Sequence, residues 1–307
     1  MGVSRRPSAV LIVNPNAGRL SKRARDEVVD VLRSRFRIEA FATSARGTGI
    51  PIAQDAVDSG ANLVIAFGGD GHVNEVANGL AGTHAVLGIV PGGTMNVFAR
   101  ALGVPMDPML AIDHLVELCE RPPVQVPLGM MDDRYFTFSA GCGFDAEAAA
   151  RVERYVPSKR RFGEIFFYWS AFRVLAGSYR RRAPSMTLKG PFGTIPVSMA
   201  IASNAGPYAY LAGRPVEIAP RVALDAGLDV FALKTMRIEA LPMYAWRVIV
   251  SGDLVEHPDV RYEHDQSEFE VVSEVPFSRH VDGEPLAPAT SARFCIQRDA
   301  LRVVAPR

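Results

Sequence analysis

Short apolar runs and amphipathic segments alternate along roughly the first 121 residues. Apolar runs of strand length predict β-strands at residues 9–13, 37–43, 63–67 and 86–90. Apolar positions at helical spacing predict α-helices at residues 21–36, 52–59, 72–80 and 94–102. Strands that alternate with helices are typical of a doubly wound parallel sheet. The pattern therefore predicts an α/β fold for this part of the chain.

After Pro122-Pro123 the pattern changes to short alternating runs, which are typical of antiparallel β structure. The predicted strands lie at residues 135–139, 185–188, 195–202, 228–233, 269–272, 294–297 and 301–304. A length of 307 residues is more typical of two domains than of one. We therefore predict a doubly wound α/β domain at residues 1–123 and an antiparallel β-sandwich domain at residues 124–307. This division allows the last predicted strand to extend back to the first domain.

Composition narrows the expected partners and location. The chain is 48% hydrophobic and 22% charged with a net charge of +1, which is ordinary for a globular protein and predicts no nucleic-acid partner. Its cysteines, Cys119, Cys142 and Cys295, are too widely spaced for a disulfide framework or a zinc cluster. The sequence contains no signal-peptide pattern and no run near the roughly 18–20 apolar residues of a membrane span. We expect a cytoplasmic protein.

One segment of the second domain is both basic and aromatic. Residues 157–182 combine one lysine, several arginines and several aromatic residues with a single acid, Glu164. Trp169, with Arg160 and Arg161, is the candidate for peripheral contact with the inner face of the membrane, because aromatic rings favour the interface and arginines favour anionic headgroups. A helix packed over the β domain with basic ends explains the same pattern, and the two interpretations are compatible.

Two glycine-rich turns each follow a predicted strand. They read Gly68-Gly69-Asp70-Gly71 and Pro91-Gly92-Gly93-Thr94. Parallel strands place such turns at one edge of the sheet, where α/β folds bind ligands. Glycines let backbone N–H groups approach phosphate oxygens, and Asp70 is placed to hold a metal ion or to take a proton. The turns therefore indicate phosphoryl-transfer chemistry.

Five motifs occur in a recognisable order: Asn14-Pro15 with Gly18, Thr43, GGDGHVNEVANGL, PGGTMNVFAR and VDGEPL. In them the chain resembles the diacylglycerol kinase catalytic family, the lipid kinases related to sphingosine and ceramide kinases. The resemblance implies an ATP site in a cleft between a nucleotide-binding α/β domain and a β-sandwich. It also implies transfer of the γ-phosphoryl group, with Mg²⁺, to the hydroxyl of diacylglycerol or a related lipid alcohol.

The resemblance also implies functions for individual residues. Asp70 binds magnesium or polarises the acceptor hydroxyl, and Glu284 is the candidate general base, although Asp-Gly before it is also a common hairpin turn. Asp225 matches an acid that holds a structural magnesium ion, and an empty turn is the alternative. The expected nucleotide-binding residues are Asn14, Pro15, Gly18, Thr43, Gly68, Gly69, Gly71, Asn74, Glu75, Gly92, Gly93 and Thr94.

The sequence departs from the family pattern at several positions. Val97 and Pro127 stand where the family often has an Asp, and Ala226 replaces the usual Gly after Asp225. His72 stands where Thr is usual, either as a phosphate contact or as a neutral residue at the start of a helix. Two alternatives to the lipid kinase are an NAD kinase and a catalytically weak lipid- or nucleotide-binding protein. A homodimer through an exposed β edge of the second domain is also consistent with the sequence.

Overall fold

The computed structural model describes residues 6–16, 20–147, 150, 185–211, 214–235, 240–247 and 252–306. The predicted site residues Gly18, Arg160, Arg161 and Trp169 lie outside these ranges. The chain forms two compact units, one comprising Met1–Leu128 with Arg298–Arg307 and the other Gly129–Gln297. The sequence predicted domains at residues 1–123 and 124–307 and allowed the last strand to extend back to the first domain.

The first unit alternates strands and helices. Its elements, in chain order, are β1 (Ser8–Val13), α1 (Lys22–Arg35), β2 (Arg37–Ala42), α2 (Gly49–Asp58), β3 (Leu63–Gly68), α3 (Asp70–Leu80), β4 (Val86–Pro91), α4 (Val97–Ala101) and α5 (Pro108–Leu118). Within it, β1 pairs in parallel with both β2 and β3, and β3 pairs in parallel with β4. The described sheet therefore has the order β2-β1-β3-β4.

This strand order determines where a ligand can bind. From β1 the chain crosses to β2 on one side, whereas from β3 it crosses to β4 on the other. The loops after β1 and β3 therefore diverge, and such a reversal at the carboxyl edge of a parallel sheet is the usual ligand-binding crevice of these folds. Gly68 pairs with Pro91, so both glycine turns begin at this edge, as the sequence predicted.

Local sequence explains where the helices begin. The Ser21 hydroxyl caps α1 by accepting the N–H of Ala24, and the Asp107 carboxylate caps α5, where Pro108 occupies the first turn. Helix α4 begins at Val97 rather than at the predicted residue 94, because Asn96 has a left-handed backbone with φ of 48°. Helix α5 was not predicted, although Asp107-Pro108 was a start signal in the sequence.

The second unit is built mainly from antiparallel strands. The remaining elements are β5 (Val124–Met131), β6 (Arg134–Phe136), β7 (Ser139–Gly143), β8 (Met186–Gly190), β9 (Gly193–Val197), β10 (Met199–Ser203), β11 (Ala209–Leu211), β12 (Arg214–Val216), β13 (Leu228–Leu233), α6 (Leu241–Trp246), β14 (Val260–Gln266), β15 (Glu268–Val281) and β16 (Glu284–Val303). The main sheet here runs β14-β13-β10-β7-β15-β16. The predicted fold class, α/β followed by an antiparallel strand-rich part, is confirmed.

Some predicted strands differ from the observed ones. The run at 294–297 and all but the last residue of the run at 301–304 belong to one long strand, β16, whose last residues pair in parallel with β4 in the first unit. Strand β14 was missed, because the sequence VRYEHDQ carries mostly polar, half-exposed side chains and lacks an apolar alternation. No helix in the described part of the chain is long and apolar enough to cross a membrane.

Candidate active site

The two glycine turns of the first unit are in direct contact. The N–H of Gly92 donates to the carbonyl of Gly68 at 2.8 Å. A Cβ added at Gly93 would lie 2.5 Å from the Cα of Gly69, and one at Gly69 would lie 3.1 Å from the Cα of Gly93. The first distance is shorter than any real side chain tolerates, so Gly93 is required by the close approach of the two backbones.

Asp70 links these turns. It is the first residue of α3, and its Oδ2 accepts the N–H of Asn96 at 2.8 Å while its Oδ1 accepts the N–H of Val97 at 2.5 Å. Both donors lie at the start of α4, where backbone N–H groups lack helical partners. The carboxylate of Asp70 therefore satisfies two N–H groups that α4 itself leaves without acceptors.

Asn96 holds the second turn from within, a function that the sequence analysis missed. Its Oδ1 accepts the N–H of Gly93 at 3.0 Å, and its Nδ2 donates to the carbonyl of the same glycine at 2.9 Å. The residue is 4% exposed and has a positive φ, a conformation that asparagine adopts more readily than most residues. The sequence signal that could have indicated this function is the asparagine two residues after Gly92-Gly93-Thr94.

The expected polar residues after β1 and β2 lie at the same edge. The N–H of Asn14 donates to the carbonyl of Phe67 at 3.0 Å, and its Oδ1 accepts the N–H of Asn16. Thr43 is buried and donates its N–H to the carbonyl of Val13 at 2.9 Å. Pro15 is exposed. These contacts join the loops after β1, β2 and β3.

The glycine-turn residues that were expected to contact phosphate differ in their exposure to solvent. Gly71 and Thr94 are exposed, whereas Gly68 and Gly92 are buried. A Cβ at Gly71 would meet no atom within 4 Å, so the space beside its Cα is open. Contact of these residues with a nucleotide stays a prediction.

Glu75 has a structural function in this fold, and its contact with a nucleotide stays a prediction. Its Oε1 accepts the N–H of Gly47 at 2.7 Å, its Oε2 accepts the N–H of Gly49 at 2.8 Å, and the residue is 7% exposed. Thr48, the N-cap residue of α2, provides no side-chain cap, so the Glu75 carboxylate satisfies this helix start. Its neighbour Asn74 is buried and accepts the side-chain amide of Asn78. Both side chains are therefore engaged within the fold.

His72 is a packed residue in this structure. Its Nε2 lies 2.9 Å from the carbonyl oxygen of Ile12 and must donate, because a carbonyl only accepts. Burial lowers the pKa of His72, so the neutral ring is favoured. The ring fills the space beside Gly68, where a Cβ would lie 2.6 Å from its Cδ2.

The residues available for magnesium differ between the two predicted positions. Magnesium is commonly held by one or two carboxylates together with substrate phosphates, and Asp70 provides a carboxylate at the glycine turns, whereas the buried Val97 side chain adds no ligand. Asp225 is exposed in a turn. In the described ranges no group of three or more His, Cys, Asp and Glu side chains forms a metal site. The structural magnesium site at Asp225 stays a prediction.

Glu284 begins β16 in the second unit. Its Oε2 lies 3.4 Å from Nη2 of Arg134, and both side chains are less than one-fifth exposed. The preceding Asp282 and Gly283 have φ of 47° and 77°, and Val281 pairs with Glu284 across them. This is a two-residue hairpin turn with positive φ at both positions.

Asp282 is buried rather than solvated as a common turn residue would be. Its carboxylate accepts four hydrogen bonds: from the N–H and the hydroxyl of Thr137, both at 2.7 Å, from the N–H of Phe138 at 3.0 Å and from the N–H of Ser139 at 2.9 Å. Burial raises the pKa of Asp282, and the hydrogen bonds oppose that rise. The turn before Glu284 is thereby anchored to the start of β7.

The parallel sheet, its reversal of strand order and the linked glycine turns define the first unit as an α/β unit with two glycine-rich loops at its ligand-binding edge. Residues 8–150 match the family model for the diacylglycerol kinase catalytic domain. This part of the chain belongs to the diacylglycerol kinase catalytic domain family, which confirms the resemblance drawn from the motifs.

Individual relatives and a solved structure show the extent of the similarity. A diacylglycerol kinase of Staphylococcus epidermidis is 35% identical over 176 residues, which cover 55% of this chain and 54% of that protein. The match thus spans about half the length of that relative. A diacylglycerol kinase of Staphylococcus aureus is 28% identical over 285 residues, 91% of this chain and 86% of that protein. The crystal structure of a diacylglycerol kinase from Bacillus anthracis shares the fold, with a TM-score of 0.73, 24% identity and 97% coverage of both chains.

Proposed function

We propose that this protein is an ATP-dependent lipid kinase that phosphorylates the hydroxyl of diacylglycerol or a related lipid alcohol. The observation that carries the proposal is the pair of hydrogen bonds by which Asp70 joins the two glycine turns. These hydrogen bonds bring two glycine-rich loops and a carboxylate together at the ligand-binding edge of the sheet. They lie within the residues that match the diacylglycerol kinase catalytic domain.

Phosphoryl transfer depends mainly on positioning and on stabilisation of charge. Backbone N–H groups of the glycine turns would bind the phosphate oxygens, and the contact between Gly69 and Gly93 keeps the turns in a defined arrangement. Asp70 would hold the magnesium ion, which supplies positive charge at the phosphates when it is bound. The Asn96 side chain keeps the second turn in place for this purpose.

Glu284 would accept the proton of the lipid hydroxyl. As the lipid oxygen forms a bond to the γ-phosphorus, the bond from that phosphorus to the oxygen of the β-phosphate breaks and ADP leaves. The hydroxyl proton passes to the Glu284 carboxylate, so charge does not accumulate on the attacking oxygen. Arg134, 3.4 Å away, orients this carboxylate from one side.

The test uses ATP labelled in the γ-phosphate, magnesium and vesicles of phosphatidylcholine that contain diacylglycerol. We expect labelled phosphate in the lipid extract, and loss of the label when EDTA removes magnesium. Glu284→Gln should lower turnover by at least about 100-fold, within the range for a general base. Incorporation of label into NADP when NAD is supplied would instead support the NAD kinase. Nucleotide binding without any labelled product would support the weak binding protein.

A further inference from the structure

A buried chain of polar side chains ends at the turn that precedes Glu284. His280 is 2% exposed, and its Nδ1 accepts the N–H of Gly283 at 3.2 Å. Its Nε2 contacts Oδ2 of Asp145, and Oδ1 of the same carboxylate accepts the hydroxyl of Tyr208. The order of contacts is therefore Tyr208, Asp145, His280 and the backbone of Gly283.

The hydrogen-bond partners determine the form of the histidine. Because a backbone N–H only donates, Nδ1 of His280 must carry a lone pair. The proton is then on Nε2, where it is donated to Asp145. A carboxylate that holds one ring nitrogen and thereby sets the orientation of the other is a common way to fix an imidazole.

The contact between His280 and Asp145 depends on the absence of a side chain at Gly141. Gly141 lies opposite His280 in the pairing of β7 with β15. A Cβ at Gly141 would lie 2.6 Å from Oδ2 of Asp145 and 2.6 Å from Nε2 of His280. Any side chain at residue 141 would therefore displace the contact between the histidine and the carboxylate.

Two sets of hydrogen bonds therefore fix the turn at Asp282 and Gly283. Asp282 is bound to the start of β7 through four hydrogen bonds, and Gly283 is bound to His280. Glu284 follows directly, so the direction of its side chain depends on the orientation of this turn. The Asp282 side-chain contacts alone leave the N–H of Gly283, in the Asp282–Gly283 peptide, without its bond to the ring.

We propose that His280, which also contacts Asp145, is a positioning residue for Glu284 through its bond to Gly283. It holds the N–H of Gly283 and thereby keeps the Glu284 carboxylate in the orientation required for proton transfer. This inference rests on the proposed function, in which Glu284 is the general base. An error of about 1 Å in the position of a catalytic group can cost about 100-fold in rate, so a turn held by one further hydrogen bond is significant for turnover.

Two variants of His280 separate the bond to the turn from the bond to Asp145. His280→Asn retains an acceptor at the place of Nδ1 but does not reach Asp145, whereas His280→Gln reaches Asp145 but loses the acceptor for Gly283. We expect His280→Gln to lower kcat for lipid phosphorylation by about 10- to 100-fold with KM for ATP within about twofold. His280→Asn should retain kcat within about threefold of wild type. Thermal unfolding of both variants identifies any general loss of the fold.

The outcomes distinguish this inference from the proposed function. If wild type phosphorylates lipid and Glu284→Gln does not, yet His280→Gln has normal kcat or His280→Asn is as slow as His280→Gln, His280 does not position the base. If wild type forms no labelled lipid, or Glu284→Gln is as fast as wild type, the proposed function is wrong. Hydrogen–deuterium exchange of a peptide that covers residues 281–285 provides an independent measurement. Faster exchange in His280→Gln than in His280→Asn supports the bond between His280 and the turn. Equal exchange in the two variants contradicts it.

Discussion

Asp70 accepts the backbone N–H of Val97 at 2.5 Å, at the position where the family often has a second acidic residue. The side chain of Val97 is buried, so the residue contributes to the site only through its backbone. The other oxygen of Asp70 accepts the neighbouring N–H of Asn96. The carboxylate therefore has a structural function in addition to the proposed binding of magnesium.

Replacement of Asp70 should affect both stability and turnover. Asp70→Ala leaves two N–H groups at the start of α4 without their acceptor, so we expect the free energy of unfolding to fall by about 2 kcal/mol. Lipid phosphorylation should be lost at the same time. Urea denaturation and the labelled-phosphate assay measure the two effects. Unchanged stability would show that the contact with α4 contributes little in solution, and turnover at the wild-type rate would remove Asp70 from the mechanism.

The contact between the glycine turns predicts opposite effects of alanine at two glycines. Gly93→Ala places a Cβ 2.5 Å from the Cα of Gly69, so we expect a loss of about 2 kcal/mol in unfolding free energy. Gly71→Ala meets no atom within 4 Å and lies in the first turn of α3, where alanine is favoured over glycine by about 0.5 kcal/mol. Chemical denaturation of the two variants provides a matched comparison. Equal stability of both variants would contradict the observed approach of the turns.

Glu75 should prove important for stability although it lies inside the glycine-rich motif. Glu75→Gln retains only one carbonyl oxygen for the N–H groups of Gly47 and Gly49, which predicts a loss of about 1–3 kcal/mol. The exposed Glu27 on α1 offers a control, because Glu27→Gln should change stability by less than about 0.5 kcal/mol. Both variants are compared by urea denaturation at pH 7. Similar values for the two would indicate that Glu75 does not cap α2.

His72 should make stability depend on pH. Burial lowers its pKa in the folded state, whereas in the unfolded chain the pKa is near 6.5. Below about pH 6.5 the unfolded state therefore binds more protons, and the stability present above that pH falls by up to about 1.4 kcal/mol per pH unit. His72→Gln can still donate to the carbonyl of Ile12 but does not titrate in this range. Urea midpoints at pH 7.5 and 5.5 should show a larger decrease for wild type than for the variant, and an equal decrease would exclude this contribution from His72.

Local patterns were sufficient for much of the first unit. Apolar runs predicted the largely buried β1, β3 and β4, and the pattern also predicted the mostly exposed β2. The glycine turns after β3 and β4 were placed at one edge because parallel strands end there together. The start of α4 could not be predicted in the same way. It depends on Asn96, whose left-handed backbone is stabilised by its own contact with Gly93 and by the carboxylate of Asp70.

The functions of several acids depended on partners far away in the chain. Nothing near Glu75 in the sequence indicates that its carboxylate binds the backbone of Gly47 and Gly49. Likewise, Asp282 was expected to be either part of an acidic motif or a solvated turn residue, whereas it binds the backbone at Thr137, about half a chain earlier. Such contacts form only when strands and helices pack, because hydrogen bonds between distant segments require the fold that brings them together.

The sequence alone determined the family, the alternation of strands and helices, and the two glycine turns, because each of these is encoded by neighbouring residues. The tertiary structure decided which groups these residues contact. It showed that Asp70 joins the two turns, that Glu75 caps α2, and that His280 connects Asp145 to the turn before Glu284. Hydrogen-bond geometry and burial are properties of the packed chain, since a local pattern specifies an element but not the distant groups against which it packs.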